Sequence, residues 1–341
     1  MNQGLTTASG QSSHDRYWIG LTAFLLVVAL AQAFRDIASW HGWSPDFLAY
    51  WASGTRLREG FLIYLDPDGR IQDPKSFIYP PVFAALFAPL TWFPRESVGQ
   101  YLWAALHLVF AGVFFWKLLQ LLEDKALPWQ FAALLMTALL VPLTQEMMEG
   151  QVNLVVMMLF ACGLVDIKRG KDLRGGLWFA LAAHLKVIPI VVLLVLLVAR
   201  RAKAAKGMAF GLLGFALLPL VWTVPNQGLI GGGQDLVINY LDFLEFVFLK
   251  AVKTGAPAGF EQYYFFNNSG HAVLHRWFDG VKLWPYTNQL ERGPLLFSVP
   301  EPVLKTLGYF APLAMYGACC LAAFKRKGDL GVHLVLAFMA A

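Results

Sequence analysis

Five short stretches of the sequence place ionisable or amide side chains beside strongly apolar segments. In the first, Ser44 to Gly54, Asp46 follows Pro45 at a predicted helix start, and Tyr50 lies one turn further on. A carboxylate at this position can cap free backbone amides, which is a purely structural role. It can also act as a general base that takes a proton from an attacking hydroxyl group. Both interpretations remain open for Asp46.

The second and third stretches also place polar side chains beside apolar segments. Tyr79 precedes Pro80 and Pro81, and these prolines stiffen an extended backbone where the chain enters an apolar segment. They would hold the Tyr79 ring at the edge of that segment. An aromatic ring at this position is also typical of a membrane-interface anchor. The segment 146–153 carries two carboxylates and two amides at a predicted helix start, and its candidate binding residues are Glu149, Gln151 and Asn153. Amides inside apolar helices usually join helices, which is the structural interpretation of Asn153.

The fourth and fifth stretches complete the set of candidate binding residues. His184 and Lys186 lie in the middle of an apolar segment, where an ammonium group requires an anionic partner such as a phosphate. Lys186 could otherwise extend to the membrane surface or pair with a carboxylate such as Glu149. Asn268 and Ser269, with Arg276 downstream, form the fifth candidate group, and Asn267-Asn268-Ser269 also matches a glycosylation acceptor.

The sequence lacks the common motifs for soluble cofactors. The run 231–233 is rich in glycine but matches no nucleotide-binding fingerprint, and there is no HExxH or CxxC motif for a metal. We therefore expect neither a metal nor a cofactor. A soluble nucleotide sugar has no evident site, which favours a reactant delivered within the membrane.

The composition indicates which elements must position these residues. Of the 341 residues, 57% are hydrophobic and only 14% are charged, whereas soluble domains carry about 25% charged residues. This excludes a soluble enzyme and predicts an all-α polytopic membrane protein, because only helices satisfy the backbone of such segments in lipid. The net charge of +5 is confined to short basic clusters, so no nucleic-acid partner is expected.

Apolar segments occur at 17–34, 79–94, 98–122, 128–144, 151–167, 175–199, 207–225 and 301–324. Basic clusters at 168–171, 200–203 and 325–327 should be cytoplasmic. The first two clusters flank the single segment 175–199, which is too short for two crossings of about 20 residues each. We therefore predict two half-helices that meet at His184–Pro189 and turn back, and a second re-entrant segment at 79–94.

The same topology places 35–78 and 226–300 outside the membrane, with a helix over 234–250 along the interface. Residues 1–341 form one integral membrane domain, and 17–34 is expected to be an uncleaved signal-anchor. A further apolar run begins at Leu330 and the sequence ends at Ala341, so a truncated C-terminus is expected.

The ordered motifs resemble glycosyltransferase family 87. They are PDFLAY at 45–50, FIYPP at 77–81, GQVN at 150–153, AHLKVIP at 183–189 and Asn268-Ser269. Members of this family are polyprenyl-phosphate-dependent mannosyltransferases and related enzymes with the integral-membrane GT-C fold. The sequence departs from the family pattern at Asn267, because Asn-Gln-Ser is expected where Asn267-Asn268-Ser269 stands.

The resemblance implies that Asp46 is the catalytic base and that a hexose, most simply mannose, passes from a polyprenyl-phosphate donor to a lipid or glycan acceptor. It further implies that the reaction needs no metal and that the site faces away from the cytoplasm at the inner membrane. Tyr79, Gln151, Lys186, Asn268 and Ser269 would then line the cavity. The alternative hypothesis is a transporter or flippase of lipid-linked or anionic substrates, with Lys186 and Glu149 as its intramembrane charges.

Overall fold

The computed structural model describes residues 45–64, 77–93, 95–122 and 149–250, together with Glu146, Met147, two short strands and isolated positions between 17 and 35 and between 299 and 321. Helices dominate this part of the chain. They are α1 Pro45–Arg58, α2 Pro81–Phe87, α3 Glu96–Leu122, α4 Asn153–Lys168, α5 Asp172–Leu185, α6 Val192–Val198, α7 Ala202–Phe215 and α8 Leu220–Asp242, with 3-10 turns at Ala88–Trp92 and Ile188–Val191 and a π-helix at Phe243–Leu249.

Helices α4, α5 and α7 pack side by side through glycines. Gly163 of α4 faces the ring of Phe179 on α5, and Gly175 of α5 faces Ile167, so α4 and α5 run antiparallel. Gly176 lies against the backbone of α7 at Ala204, and such close approach of small residues is typical of helix pairs in membranes.

Helices α5 and α7 run parallel to each other. Leu173 contacts Gly207 and Ala180 contacts Gly211, so contacting positions increase together along both helices. The chain between them must therefore reverse direction. The basic clusters 168–171 and 200–203 consequently lie at the same end, where Arg201 and Asp172 form an ion pair at 3.7 Å.

The reversal takes place at the predicted break. Helix α5 ends at Leu185, Lys186 has an extended backbone with φ −149° and ψ 129°, and the chain resumes as the 3-10 turn that contains Pro189. Proline cannot donate the backbone hydrogen bond that a continuous helix needs, and its ring obstructs the preceding turn. The segment 175–199 is thus two short helices, as expected from its polar centre.

Helices α1, α2 and α8 form a second layer. The indole of Trp222 donates to the carbonyl of Ala85 at 2.9 Å, and the Asn226 amide donates to the carbonyl of Arg58 at 2.7 Å. The core of this layer is aromatic, with Tyr50 buried and its ring centroid 4.6 Å from that of Phe83. The α2 segment is short, as predicted for 79–94.

The apolar segment 207–225 is not one continuous helix. Helix α7 ends at Phe215 and α8 begins at Leu220, and the two are bent by 57°. Pro219 lies between them and explains the break, since it lacks the amide hydrogen that would continue α7. Within α8, Gly228 adopts a positive φ of 73° and introduces a second kink.

Membrane character rests on one long helix and on exposed apolar surface. Residues Glu96–Leu121 of α3 are long and apolar enough to cross a bilayer, and α7 with the α8 segment passes the same test as a bent pair. Val237 and Leu241 of α8 and Leu244 of the π-helix that follows are exposed. A row of exposed large apolar side chains is typical of a surface that contacts lipid or another protein.

Strands depart from the all-α prediction only locally in the described chain. Val281–Leu283 pairs antiparallel with Leu290–Arg292. The predicted segment 128–144 lies outside the described residues, and for 17–34 and 301–324 the structure gives only isolated helical positions.

The contact between α5 and α7 gives a stability test. A Cβ at Gly176 would overlap the carbonyl oxygen of Ala204, which is backbone and cannot move aside. We expect Gly176→Ala to lower the free energy of unfolding by about 1–3 kcal/mol, measured by thermal unfolding in detergent. Gly214→Ala is the matched control, because Gly214 faces open space on α7. Equal melting temperatures for the two variants would contradict the packing.

Candidate active site

A tight turn brings the carboxylate-rich stretch to the start of α4. Gly150 adopts a positive φ of 68°, a conformation that glycine reaches without strain. The N–H of Gln151 donates to the carbonyl of Glu146 at 3.0 Å and closes the turn. Helix α4 then begins at Asn153, at the end of the α4–α5 pair opposite the basic clusters.

Asn153 connects the two polar stretches. Its amide nitrogen donates to Glu146 Oε1 at 2.6 Å and to Gln151 Oε1 at 2.6 Å. Its amide oxygen accepts a hydrogen bond from Lys186 Nζ at 2.6 Å. The antiparallel packing of α4 and α5 explains this contact, since the first residue of α4 lies beside the residue that follows α5.

Asp46 lies in the first turn of α1 and belongs to the same electrostatic group. Burial raises the pKa of Asp46 from 3.8 to about 7, and the charge of Glu149 adds to this, while the nearby ammonium of Lys186 opposes it. Burial also raises the pKa of Glu146 above its ordinary value. Among the described residues, the structure therefore places two predicted residues, Asp46 and Lys186, within range of each other's charge.

Two phenols extend the group on the α1 side. The hydroxyl of Tyr50 donates to the hydroxyl of Tyr79 at 2.9 Å. Both phenols lie close enough to Asp46 for its negative charge to affect their pKa values. Burial raises the pKa of both phenols, so they remain protonated at neutral pH. Tyr79 is thus held by a specific bond in addition to any role at a membrane interface.

Glu149, Gln151 and His184 occupy different positions. Gln151 donates to Glu149 Oε2 at 2.5 Å, so both belong to the cluster. His184 is buried and donates from Nε2 to the carbonyl of Leu212 at 2.9 Å, with its ring near Phe215. The structure therefore directs His184 to helix α7, where it joins two helices. Asn268, Ser269 and Arg276 lie outside the described residues.

Sequence reasoning missed Glu146 as a site residue and chose Glu149 as the carboxylate for Lys186. In the structure, Lys186 bonds the amide of Asn153, whose nitrogen bonds Glu146. Glu146 is also the member whose second oxygen, Oε2, is buried without a hydrogen-bond partner. The orientation of the turn decides between the two glutamates, and the sequence carried no signal for it.

Two residues of helix α3 hold the turn at Gly150 through hydrogen bonds, and sequence reasoning missed both of them. The indole of Trp103 donates to the carbonyl of Gly150 at 2.8 Å. His107 is fully buried, with Nε2 2.7 Å from the carbonyl oxygen of Gln151 and Nδ1 2.9 Å from that of Trp103. A neutral imidazole carries one N–H, so it donates to one of these carbonyls at a time. The spacing Trp103-x3-His107 in an apolar helix was the available signal.

In the part of the chain that the structure describes, no group of three or more His, Cys, Asp or Glu side chains is arranged to hold a metal ion. The absence of a metal or cofactor from the reaction stays a prediction.

Comparison with known proteins identifies the family. The family model of glycosyltransferase family 87 matches residues 77–340, more than half of the chain. The chain belongs to glycosyltransferase family 87. Comparisons with curated proteins and with solved structures give no match. Family 87 membership indicates a glycosyltransferase and favours an enzyme over a flippase. The matched segment includes Tyr79, the 146–153 turn and Lys186, whereas Asp46 precedes it.

The raised pKa gives this family 87 protein a specific dependence of stability on pH. Between pH 3.8 and about 7, the folded state retains the Asp46 proton that the unfolded chain has released. Wild-type stability therefore falls as the pH rises through this window. Asp46→Asn has no such proton, so its melting temperature relative to wild type should increase from about pH 4 to about pH 8.

Thermal unfolding in detergent at several pH values measures this difference. Glu146 also has a raised pKa and interacts with Asp46, so the difference between the two proteins reports the Asp46 proton together with its coupling to Glu146. Gly214→Ala, which removes no ionisable group and faces open space on α7, serves as control and should keep a constant offset. A constant offset for Asp46→Asn as well would refute the assignment.

Proposed function

We propose that this protein transfers a hexose, with mannose as the first candidate, from a polyprenyl-phosphate sugar to a hydroxyl of a lipid or glycan acceptor. The observation that carries the proposal is the ammonium of Lys186, bonded to Asn153 and within range of the half-buried Asp46 carboxylate. Family 87 membership supports glycosyl transfer as the reaction type. The donor, the acceptor and the roles below are inferred from the chemistry of these groups.

Asp46 is the general base of the proposal. A general base works best when its pKa lies near the working pH, because it is then sufficiently ionised and still holds the proton well. A pKa of about 7 meets this condition, whereas an exposed aspartate near 3.8 would be a weak base. Burial and the negative charge of Glu149 thus act in favour of catalysis.

Lys186 is the proposed partner of the donor phosphate. Its bond to Asn153 uses one of the three ammonium hydrogens. The leaving group is a polyprenyl phosphate, which gains negative charge as its bond to the sugar breaks. A cation held in a low-dielectric environment stabilises this charge strongly in the transition state.

The proposed step balances as follows. Asp46 takes the proton of the acceptor hydroxyl while the acceptor oxygen bonds to the anomeric carbon of the sugar. The bond from that carbon to the phosphate oxygen breaks through an oxocarbenium-like state, as in other glycosyl transfers. The bonding electrons leave with polyprenyl phosphate, next to Lys186. Tyr50, Tyr79, Glu149, Gln151 and Asn153, with Asn268, Ser269 and Arg276 from outside the described residues, are proposed to line the site.

The polarity of the helix pair supports an extracytoplasmic site. Asn153 and Lys186 lie at one end of α4 and α5, and the basic cluster at 168–171 lies at the other. Since basic clusters remain preferentially on the cytoplasmic side, the site would face outward from the inner membrane in a multi-pass arrangement. The exposed apolar side chains would then contact membrane lipids.

Replacement of the base tests the proposal most directly. We expect Asp46→Asn to lower turnover by about 10²–10⁴-fold, because the amide cannot accept the hydroxyl proton. Membranes or purified protein are incubated with a panel of radiolabelled polyprenyl-phosphate sugars, and the glycosylated products are extracted. Glu59→Gln should retain wild-type turnover. Normal turnover of Asp46→Asn with any donor that the wild type uses would end the proposal.

Replacement of the cation tests the donor assignment separately. We expect Lys186→Met to raise the KM for the polyprenyl-phosphate sugar by about tenfold or more, which corresponds to about 1.4 kcal/mol. Inhibition by free polyprenyl phosphate should weaken in parallel. Lys203→Met on α7 removes an exposed basic residue at the opposite end and should leave both values unchanged. An unchanged KM together with an unchanged kcat for Lys186→Met would show that the phosphate binds elsewhere.

A further inference from the structure

A second set of buried polar atoms lies on α8, outside the cluster around Asp46. It consists of Asn239 and Asp242, which we call the α8 pair. The two residues are three positions apart, so their side chains project from the same helix face, with Cβ atoms about 5–6 Å apart. Neither residue has a role in the proposed transfer step.

Asn239 presents a donor without a partner. The side chain is fully buried, and its Oδ1 accepts the backbone N–H of Ile63 at 2.8 Å. This bond fixes the orientation of the amide, because a flipped amide would place two donors against each other. Nδ2 is therefore the atom left over, and it is buried with no hydrogen-bond partner.

Asp242 presents the complementary acceptor. Its Oδ2 is likewise buried without a hydrogen-bond partner. Buried polar groups in folded proteins are nearly always satisfied, and an exception calls for an explanation. A donor and an acceptor, both unsatisfied and one turn apart, together match a group that can accept and donate hydrogen bonds at once. A hydroxyl group is such a group.

The surroundings of the α8 pair are aromatic. Burial raises the pKa of the Tyr64 phenol, and the nearby charge of Asp242 adds to this effect. The ring centroid of Tyr64 lies 6.1 Å from that of Phe243, the residue after Asp242. Phe243 also begins the π-helix, a wide turn that occurs frequently at functional sites. Apolar ring surfaces beside a few placed polar atoms are the usual composition of a small-molecule site.

The α8 pair is connected to the Asp46 cluster through two residues, Tyr64 and Tyr79. The hydroxyl of Tyr64 donates to the backbone carbonyl of Tyr79. The side-chain hydroxyl of Tyr79 in turn accepts a hydrogen bond from the Tyr50 hydroxyl and lies within range of the charge of Asp46. A ligand at the α8 pair would thus be linked to the proposed base through the hydrogen bonds of Tyr79.

We propose that Asn239 and Asp242 form a carbohydrate subsite that binds sugar hydroxyls. One hydroxyl donates to Asp242 Oδ2, and the oxygen of the same or a neighbouring hydroxyl accepts from Asn239 Nδ2. This inference deepens the proposed function, because it adds a specific sugar contact to the site at Asp46. The sugar is either the hexose of the donor or a residue of the acceptor glycan.

Binding of free glycosides tests the subsite without the transfer reaction. Purified full-length protein in detergent is titrated with methyl α-mannopyranoside and with its singly deoxygenated analogues, and binding is followed by the rise in melting temperature. We expect the wild type to discriminate against the analogue that lacks the contacting hydroxyl. Asp242→Asn and Asn239→Asp should bind the parent glycoside about tenfold or more weakly and lose this discrimination.

Controls separate a binding role from a structural one. Asp235→Asn lies two turns earlier on α8 and should bind as the wild type does. Asn239→Leu removes the unpaired donor, so a merely structural role predicts a changed melting temperature without ligand and unchanged glycoside affinity. Glycoside affinity equal to wild type in Asp242→Asn, or no glycoside binding by the wild type at millimolar concentration, would overturn the subsite.

The outcome is distinguishable from failure of the proposed function. Asp46→Asn should keep the glycoside affinity, since Asp46 lies in the other group. The subsite can therefore fail while transfer by the wild type persists, and transfer can fail while glycoside binding persists. In the transfer assay, a raised KM of Asp242→Asn for the polyprenyl-phosphate sugar assigns the subsite to the donor, and a raised KM for the acceptor assigns it to the acceptor glycan.

Discussion

The site depends on one hydrogen bond, from the ammonium of Lys186 to the amide oxygen of Asn153. An ammonium group removed from water is costly unless charged or polar partners surround it. Asn153 is a neutral partner for the ammonium group, and its amide nitrogen donates a second hydrogen bond to Glu146. The amide acts as a spacer, so Lys186 is held near a carboxylate without a direct ion pair. A direct pair would consume more of the positive charge that an incoming phosphate needs.

This bond requires two features of the backbone. The break after Leu185 frees Lys186 from helical geometry, and the antiparallel packing of α4 and α5 brings Asn153 to the same end. A continuous helix over 175–199 would keep Lys186 in helical geometry and would remove the turn that lets α5 and α7 run parallel. The glycines that allow close packing and the proline that follows the break therefore serve the same arrangement.

The sequence predicted these features to different degrees. The break at 184–189 followed from a lysine and a proline in an apolar segment, because both are costly inside hydrocarbon, and the structure has it. The break within the apolar segment 207–225 was not predicted although Pro219 lies within it, since hydropathy alone cannot separate a bent pair from one span. Local rules of this kind indicate where helices end, but they do not determine in which direction the resulting short helices run relative to one another.

Pairing between distant segments was the part that local patterns could not supply. Glu146 and Glu149 are equivalent by composition, and only the turn at Gly150 directs Glu146 toward Asn153. His184 was grouped with Lys186 because the two are neighbours in sequence, yet the extended backbone at Lys186 turns them to different helices. The α8 pair was missed because it becomes notable only when Ile63, distant in the sequence, fixes the amide of Asn239.

Burial acts on both of the charged groups on which the proposed chemistry depends. For Asp46, removal from water holds a proton on the carboxylate up to about pH 7, so the group becomes a stronger base. For Lys186, the same low dielectric makes its attraction to a phosphate stronger than it would be in water. The nearby carboxylates of Glu146 and Glu149 favour the proton on Asp46. The proposed anionic donor would add to that effect, and its own charge would be offset chiefly by Lys186. A base and a cation that must function together are therefore tuned by one shared environment, and a change that admitted water would weaken both at once.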